Sequence, residues 1–305
     1  MEEVPEIRET LKTWDVGRVA EVVAEDERAL VEVLGVLRSG DGTLKIRALT
    51  ALIESTRGSN WKERKRVLEL GLDEIIAAAG SDDDRISSRA LELLAILLKN
   101  NPLTDRRLAP IIEVILKKST SKSPRVWSSI MEVIESIKIP YVSKRTTSLL
   151  LRALRDGTAE EIAVASLVLI RSGAVERNDW KLLVERIADL INSNSERLID
   201  AGLTASIRLT KLPVVFPMDA VIKAVLPALR RLLSSCSDQF IKVKAIDAFD
   251  RLREMVTRYY RLHPREAQRV AEELARLGLV EEAYLVSSSA GTFTGEFFYG
   301  NRTAL

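Results

Sequence analysis

One cysteine and one histidine are all that 305 residues provide for soft-metal or imidazole chemistry. Cys236 alone excludes an intramolecular disulfide and a cysteine-rich metal cluster, and a reducing, cytoplasmic setting suits such a composition. His263 alone excludes multi-histidine metal sites and a histidine pair for proton relay. No Gly-rich phosphate loop, G-x-S-x-G elbow or H-E-x-x-H occurs, so no cofactor is expected and nothing reads as an enzyme. No apolar run approaches the roughly 20 residues that span a bilayer. The acidic opening Met1-Glu2-Glu3-Val4-Pro5-Glu6 has no apolar core and does not read as a signal peptide. Aromatics are only 5%. Glutamine is confined to Gln239 and Gln268 amid abundant charge, a composition resembling that of hyperthermophile proteins, which expects a melting midpoint above about 65 °C.

What is present is hydrophobic (46%) and charged (30%), the balance of a folded chain and not a disordered one. Leu, Ala, Ile, Val, Glu and Arg dominate, which is helix-rich composition. The length exceeds the usual single compact core of roughly 100–200 residues, so either two domains or a solenoid is expected. A net charge of +2 does not imply a polyanion partner by itself, but the charge is uneven. Residues 1–30 carry four Lys/Arg against nine Asp/Glu; residues 105–155 carry eleven against four; residues 223–276 carry twelve against seven. Such blocks read either as docking surfaces for differently charged partners or as solvated helix faces.

Two segments read almost identically. Leu44-Lys45-Ile46-Arg47-Ala48-Leu49-Thr50-Ala51-Leu52 reappears as Ile241-Lys242-Val243-Lys244-Ala245-Ile246-Asp247-Ala248-Phe249. Apolar residues recur at i, i+3, i+4, i+7 from Val4 to Leu285, interrupted by short Gly, Pro, Asp or Ser clusters. The chain therefore reads as a succession of antiparallel helix pairs. With the opening apolar position of the motif as register, second helices start near Leu44, Ile86, Val126, Ala159, Leu198 and Ile241. Small residues at Ala48, Ala90, Gly202 and Ala245 fit close helix–helix approach, whereas Ile130 stands where a small residue is expected. Pro110 and Pro227 lie inside otherwise helical runs, where proline bends a helix. Asp82-Asp83-Asp84 lacks the glycine turn and distal glutamate of a calcium loop and reads as N-terminal capping before Ile86.

With spacings near 40 residues, the chain resembles HEAT-repeat proteins. The first-helix pattern matches at Pro110 and Pro227, and the second-helix pattern matches best at Leu44 and Ile241. The resemblance covers roughly residues 26–260 and implies an all-α, right-handed α-α superhelix, a HEAT-like solenoid of about six helix pairs with atypical caps. Residues 1–37 are then N-terminal capping helices and the start of the first pair, 38–262 the repeats, 263–286 a C-terminal capping helix, and 287–305 a Gly/Ser-rich aromatic tail without helical pattern. The family is mostly scaffolds and adaptors, so the expected function is a non-enzymatic surface that holds a partner protein or peptide. The alternative is a nucleic-acid-binding HEAT-like protein related to DNA repair, because certain DNA glycosylases use such stacks with a basic concave face.

Two candidate partner-binding sets stand out. Arg251, Arg253, Arg258, Tyr259, Tyr260 and Arg261, followed by Arg265 and Arg269, could grip a phosphate backbone and stack on bases, or dock a protein. Against that, Glu254, Glu266, Glu272 and Glu273 lie at helical pairing distance. In the tail, Phe293, Phe297, Phe298 and Tyr299 are costly to leave in water and expect a docking place. A test of the nucleic-acid alternative is whether Lys45, Arg47, Arg89, Arg125, Lys242 and Lys244 line one continuous groove.

Overall fold

The computed structural model of the chain describes residues 6–99, 101, 103–137, 144–172, 175–212 and 217–291. Among these every regular element is a helix. The chain divides into two compact units, Met1–Ala153 and Leu154–Leu305. The division falls inside the stretch 38–262 that the sequence presents as one run of repeats.

The first unit holds four successive helix pairs. They are α1 (Ile7–Lys12) with α2 (Val16–Glu25), α3 (Glu27–Ser39) with α4 (Gly42–Arg57), α5 (Trp61–Ala79) with α6 (Asp84–Leu98), and α7 (Asp105–Ser119) with α8 (Pro124–Ser136). The second helices pack on one another in order, α2 on α4, α4 on α6, α6 on α8. The first helices form the other layer, α1 on α3, α3 on α5, α5 on α7. Helix starts follow local chemistry. The Asp41 carboxylate accepts from the Leu44 N–H at 2.9 Å and Asp83 from the Arg85 N–H at 2.9 Å, so the aspartate run before Ile86 does cap α6. Asn60 and Glu63 form a reciprocal capping box on α5.

The units divide within α9 (Lys144–Asp156). The second unit continues with α10 (Ala159–Ser172), α11 (Arg177–Ile191) and α12 (Glu196–Leu209). Next comes a continuous helix made of α13 (Met218–Ala220), a π turn at Val221–Val225 and α14 (Leu226–Ser235). Then follow α15 (Gln239–Leu262), α16 (Pro264–Arg276) and α17 (Val280–Ser289). Again the second helices stack, α10 on α12, α12 on α15, α15 on α17. The π turn immediately precedes Pro227, where a regular α ladder would bring the proline ring against the Lys223 carbonyl.

All six register positions, Leu44, Ile86, Val126, Ala159, Leu198 and Ile241, lie in the first turn of α4, α6, α8, α10, α12 and α15. Ala48, Ala90 and Ala245 are fully buried, as is Ile130 at the equivalent place in α8.

The C-terminal end differs from the sequence expectation. Two helices stand where one was expected, turning through Gly278 at φ +77°, a conformation that favours glycine. The second continues to Ser289, three residues into the segment read as non-helical. The Ser287 hydroxyl donates to the Tyr284 carbonyl and the Ser288 and Ser289 hydroxyls to the Leu285 carbonyl, so the serines bond back onto the last turn instead of breaking it.

Candidate partner-binding groove

Three successive second helices of the first unit bring equivalent positions to one groove. The residue before the opening apolar position is Thr43, Arg85 or Arg125; the second after it is Ile46, Ser88 or Ser128; the third is Arg47, Arg89 or Ser129. Thr43, Ile46, Arg47, Arg85, Ser88, Arg89 and Arg125 line a 310 Å³ cavity together with Trp14. An adjoining 320 Å³ cavity shares Ser88, Arg89 and Arg125 and adds Glu92, Ser128 and Ser129.

The arginines are held differently. Arg47 turns back toward α1, donating from Nη1 to the Leu11 carbonyl at 2.7 Å and the Lys12 carbonyl at 2.8 Å. These are last-turn carbonyls, and the Leu11 one also accepts from the Trp14 N–H at 3.4 Å. The same guanidinium lies 4.2 Å over the Trp14 ring. Trp14 sits at φ +66° in the left-handed region, the one described residue other than glycine to do so, and is 65% exposed. For a bulky residue that backbone costs about 1–2 kcal/mol. Arg85 donates to both carboxylate oxygens of Asp83, at 3.2 and 2.9 Å, and the hydrogen bond from its side chain holds the Asp83 carboxyl below the usual carboxylate range. Arg89 donates to Glu92 at 2.8 Å, and Glu92 also accepts from Arg57 at 3.2 Å. Arg125 is exposed and makes no hydrogen bond or ion pair with a described residue. It lies in the first turn of α8, at the positive end of the helix dipole, where stability gives no reason for a cation.

The basic residues expected to mark one continuous groove do not all meet. Arg47, Arg89 and Arg125 share the groove. Lys45 lines a separate 440 Å³ cavity with Arg38, Asp73 and Glu74. In the second unit, Lys244 pairs with Asp200 and donates to the Thr204 hydroxyl at 2.7 Å. There the groove-equivalent positions carry Thr158, Glu161 and Ile162 on and before α10, Arg197, Asp200 and Ala201 on α12, and Phe240, Val243 and Lys244 on α15. Phe240 is 89% exposed and Val243 65%.

Part of the arginine–tyrosine cluster is tied up within its own helices. Arg251 pairs with Asp247 at 2.7 Å and Arg258 with Glu254 at 2.8 Å, both one turn apart. Arg253 and Arg261 are exposed; Arg253 lies over the Phe249 ring and lines a 350 Å³ cavity with Arg230 and Tyr284. The Tyr259 hydroxyl donates to Glu266 at 2.9 Å, and its ring stacks on His263, which is an exposed turn residue. Tyr260 is a correction to the sequence reading. It is fully buried, because it continues the core stripe Ala245, Ala248, Leu252 and Val256 of α15, and so offers no surface to a partner. Phe293, Phe297, Phe298 and Tyr299 lie outside the described residues. Trp14, Arg85, Ser88, Ser128 and Ser129 were missed; comparing equivalent register positions across repeats would have found all but Trp14.

The buried Tyr260 hydroxyl makes no hydrogen bond with a described residue, and burial, helped by Glu266 and Asp219, pushes its pKa far above the usual tyrosine value. The unfolded tyrosine ionises near pH 10, about its free value, while the native one keeps its proton. The native state then binds more protons than the unfolded one, so stability falls as pH rises above about 10. Tyr260→Phe removes the unpartnered hydroxyl. It should stabilise the protein by about 1 kcal/mol at neutral pH and make the alkaline decline shallower. Urea unfolding at neutral and alkaline pH checks both; a loss of stability at neutral pH would show that the hydroxyl is bonded.

Stacked helix pairs in two layers, with small residues where paired helices meet, define an α-helical repeat fold. No family model matches the chain, and no curated protein does. Among solved structures it is similar to an archaeal HEAT-like repeats protein from Thermococcus onnurineus NA1. The two share 18% identity over 81% of this chain and 95% of that one, with a TM-score of 0.67. A designed armadillo repeat protein in complex with the peptide (KR)4 is 18% identical over 73% of this chain and 99% of that one, at TM-score 0.42. An engineered protein is 16% identical over 90% of this chain and 74% of that one, at TM-score 0.46. The fold is that of a HEAT-like all-α solenoid.

Proposed function

We propose that this chain is a non-enzymatic scaffold that holds a partner protein or peptide on the exposed face of its second helices. One observation carries the reading: equivalent positions of α4, α6 and α8 converge on a single groove instead of dispersing. A repeat surface that recurs in register is suited to an extended ligand, because each repeat adds the same kind of contact. Beside Ile46 and the Glu92 carboxylate, the groove's side chains are guanidinium, hydroxyl and indole, groups that bind through ion pairs, hydrogen bonds and stacking.

Photo-crosslinking tests the face directly. Benzoylphenylalanine at exposed Ser128 in the groove should capture a protein from the source organism's lysate, and the same residue at Lys65 on α5 of the other layer should not. Charge reversal at Arg89 and Arg125 should abolish the Ser128 product. Equal products from both faces, or a product indifferent to the reversal, would contradict the assignment.

A further inference from the structure

The geometry points to an acidic segment of a partner protein as the occupant of the first unit's groove, with carboxylates against Arg89 and Arg125 and an apolar side chain against Trp14. This rests on the scaffold reading and adds the chemistry of the partner.

Charge complementarity favours an acidic occupant. Four arginines, Arg47, Arg85, Arg89 and Arg125, line the groove, and Arg125 is left without a partner among the described residues. Arg85 and Arg89 are matched to Asp83 and Glu92 by exposed ion pairs, which are weak and exchange readily with an incoming carboxylate. Planar guanidinium groups are also suited to two-pronged recognition of carboxylate.

Glu92 separates peptide from nucleic acid. Glu92 lines the groove beside Arg89, and a phosphate chain places a negative charge at every unit, so one of them would face that carboxylate. A peptide can place a neutral residue there. Ser128 and Ser129 offer hydroxyls that both donate and accept, matching a peptide backbone, whereas the buried Ser88 hydroxyl donates to the Arg85 carbonyl at 3.2 Å. Three packed helices about 9 Å apart span about 18 Å, the reach of roughly six extended residues.

Trp14 adds the apolar contact. An exposed indole held in a left-handed backbone conformation, clamped from behind by Arg47, is an arrangement that stability disfavours and ligand contact explains. Its free ring area provides a seat for an apolar side chain at the end of the acidic run.

The experiment is fluorescence anisotropy with the full chain and a fluorescein-labelled peptide of alternating glutamate and leucine, about ten residues long to exceed the groove. The peptide should bind, with affinity falling between about 50 and 200 mM salt. A matching lysine–leucine peptide and a ten-base oligo-dT of about the same length should bind about tenfold more weakly or worse. Arg89→Glu with Arg125→Glu should weaken binding by about tenfold or more, and Lys65→Glu should not. Trp14→Gly should weaken binding while moving the melting temperature by no more than about 3 °C, because strain relief offsets the lost stacking. Tighter binding of the oligonucleotide would overturn the proposal in favour of nucleic acid. No binding of the acidic peptide, with the Ser128 crosslink intact, would overturn the acidic chemistry and leave the scaffold reading standing.

Discussion

Replacing Arg230 by alanine is expected to destabilise the second unit by about 1–3 kcal/mol. Glu282 on α17 is only 1% exposed, and among the described residues neither of its carboxylate oxygens has a well-aligned hydrogen bond. Its compensation is the Arg230 guanidinium on α14, 3.0 Å from Oε1. Without it the carboxylate stays in the core as an uncompensated charge, and that penalty is far larger than the value of the pair itself. Arg230 also bridges to Glu281 at 2.8 Å, but Glu281 is 70% exposed, so Glu281→Ala should cost less than about 1 kcal/mol. Combining Arg230→Ala with Glu282→Leu should recover much of the loss, since it removes the stranded charge. Denaturant unfolding of the variants measures each step. A loss of less than about 1 kcal/mol for Arg230→Ala would show that water reaches Glu282.

Gly202→Leu should cost about 3 kcal/mol or more, at or beyond the upper end of overpacking effects. A Cβ placed there would lie 3.0 Å from Ile191 Cγ1, 3.1 Å from the Ile191 backbone nitrogen and 3.1 Å from Leu190 Cβ. Two of these atoms are fixed to the α11 backbone and yield only if the helix moves. The remaining carbons of leucine then enter a contact already closed by Ile191 and Leu190. Thermal unfolding measures the effect. A leucine accommodated without loss would mean that α11 and α12 are packed more loosely than the contact distances indicate.

Packing explains why the helix pairs were legible and the groove was not. Ala48, Ala90, Gly202 and Ala245 stand four positions after their register residues because two helices approach there, and that constraint leaves a periodic mark. Arg85, Arg125 and Ser128 face solvent, where the core imposes nothing, so only comparison of equivalent positions shows that they converge. Tyr260 misled because its arginine neighbours suggested a ligand surface, although its spacing from Leu252 and Val256 already placed it on the buried stripe. Trp14 left no local signal. Its conformation is stabilised by Arg47, a residue on α4 reached only after the chain has folded back. In α17, serine composition suggested an end to the helix, but backbone-directed hydroxyls carried it further.

The central claim is that the first unit's second-helix groove is where a partner binds. Its most direct test is nuclear magnetic resonance on the full chain, titrated with the alternating glutamate–leucine peptide. The account predicts that the Trp14 indole N–H, the Arg47, Arg85, Arg89 and Arg125 side-chain N–H groups, and the amides of residues 43–47, 85–89 and 125–129 shift together with one dissociation constant. Shifts confined to Arg251, Arg253, Arg258 and Arg261 on α15, with Trp14 and the groove arginines unmoved, would contradict it.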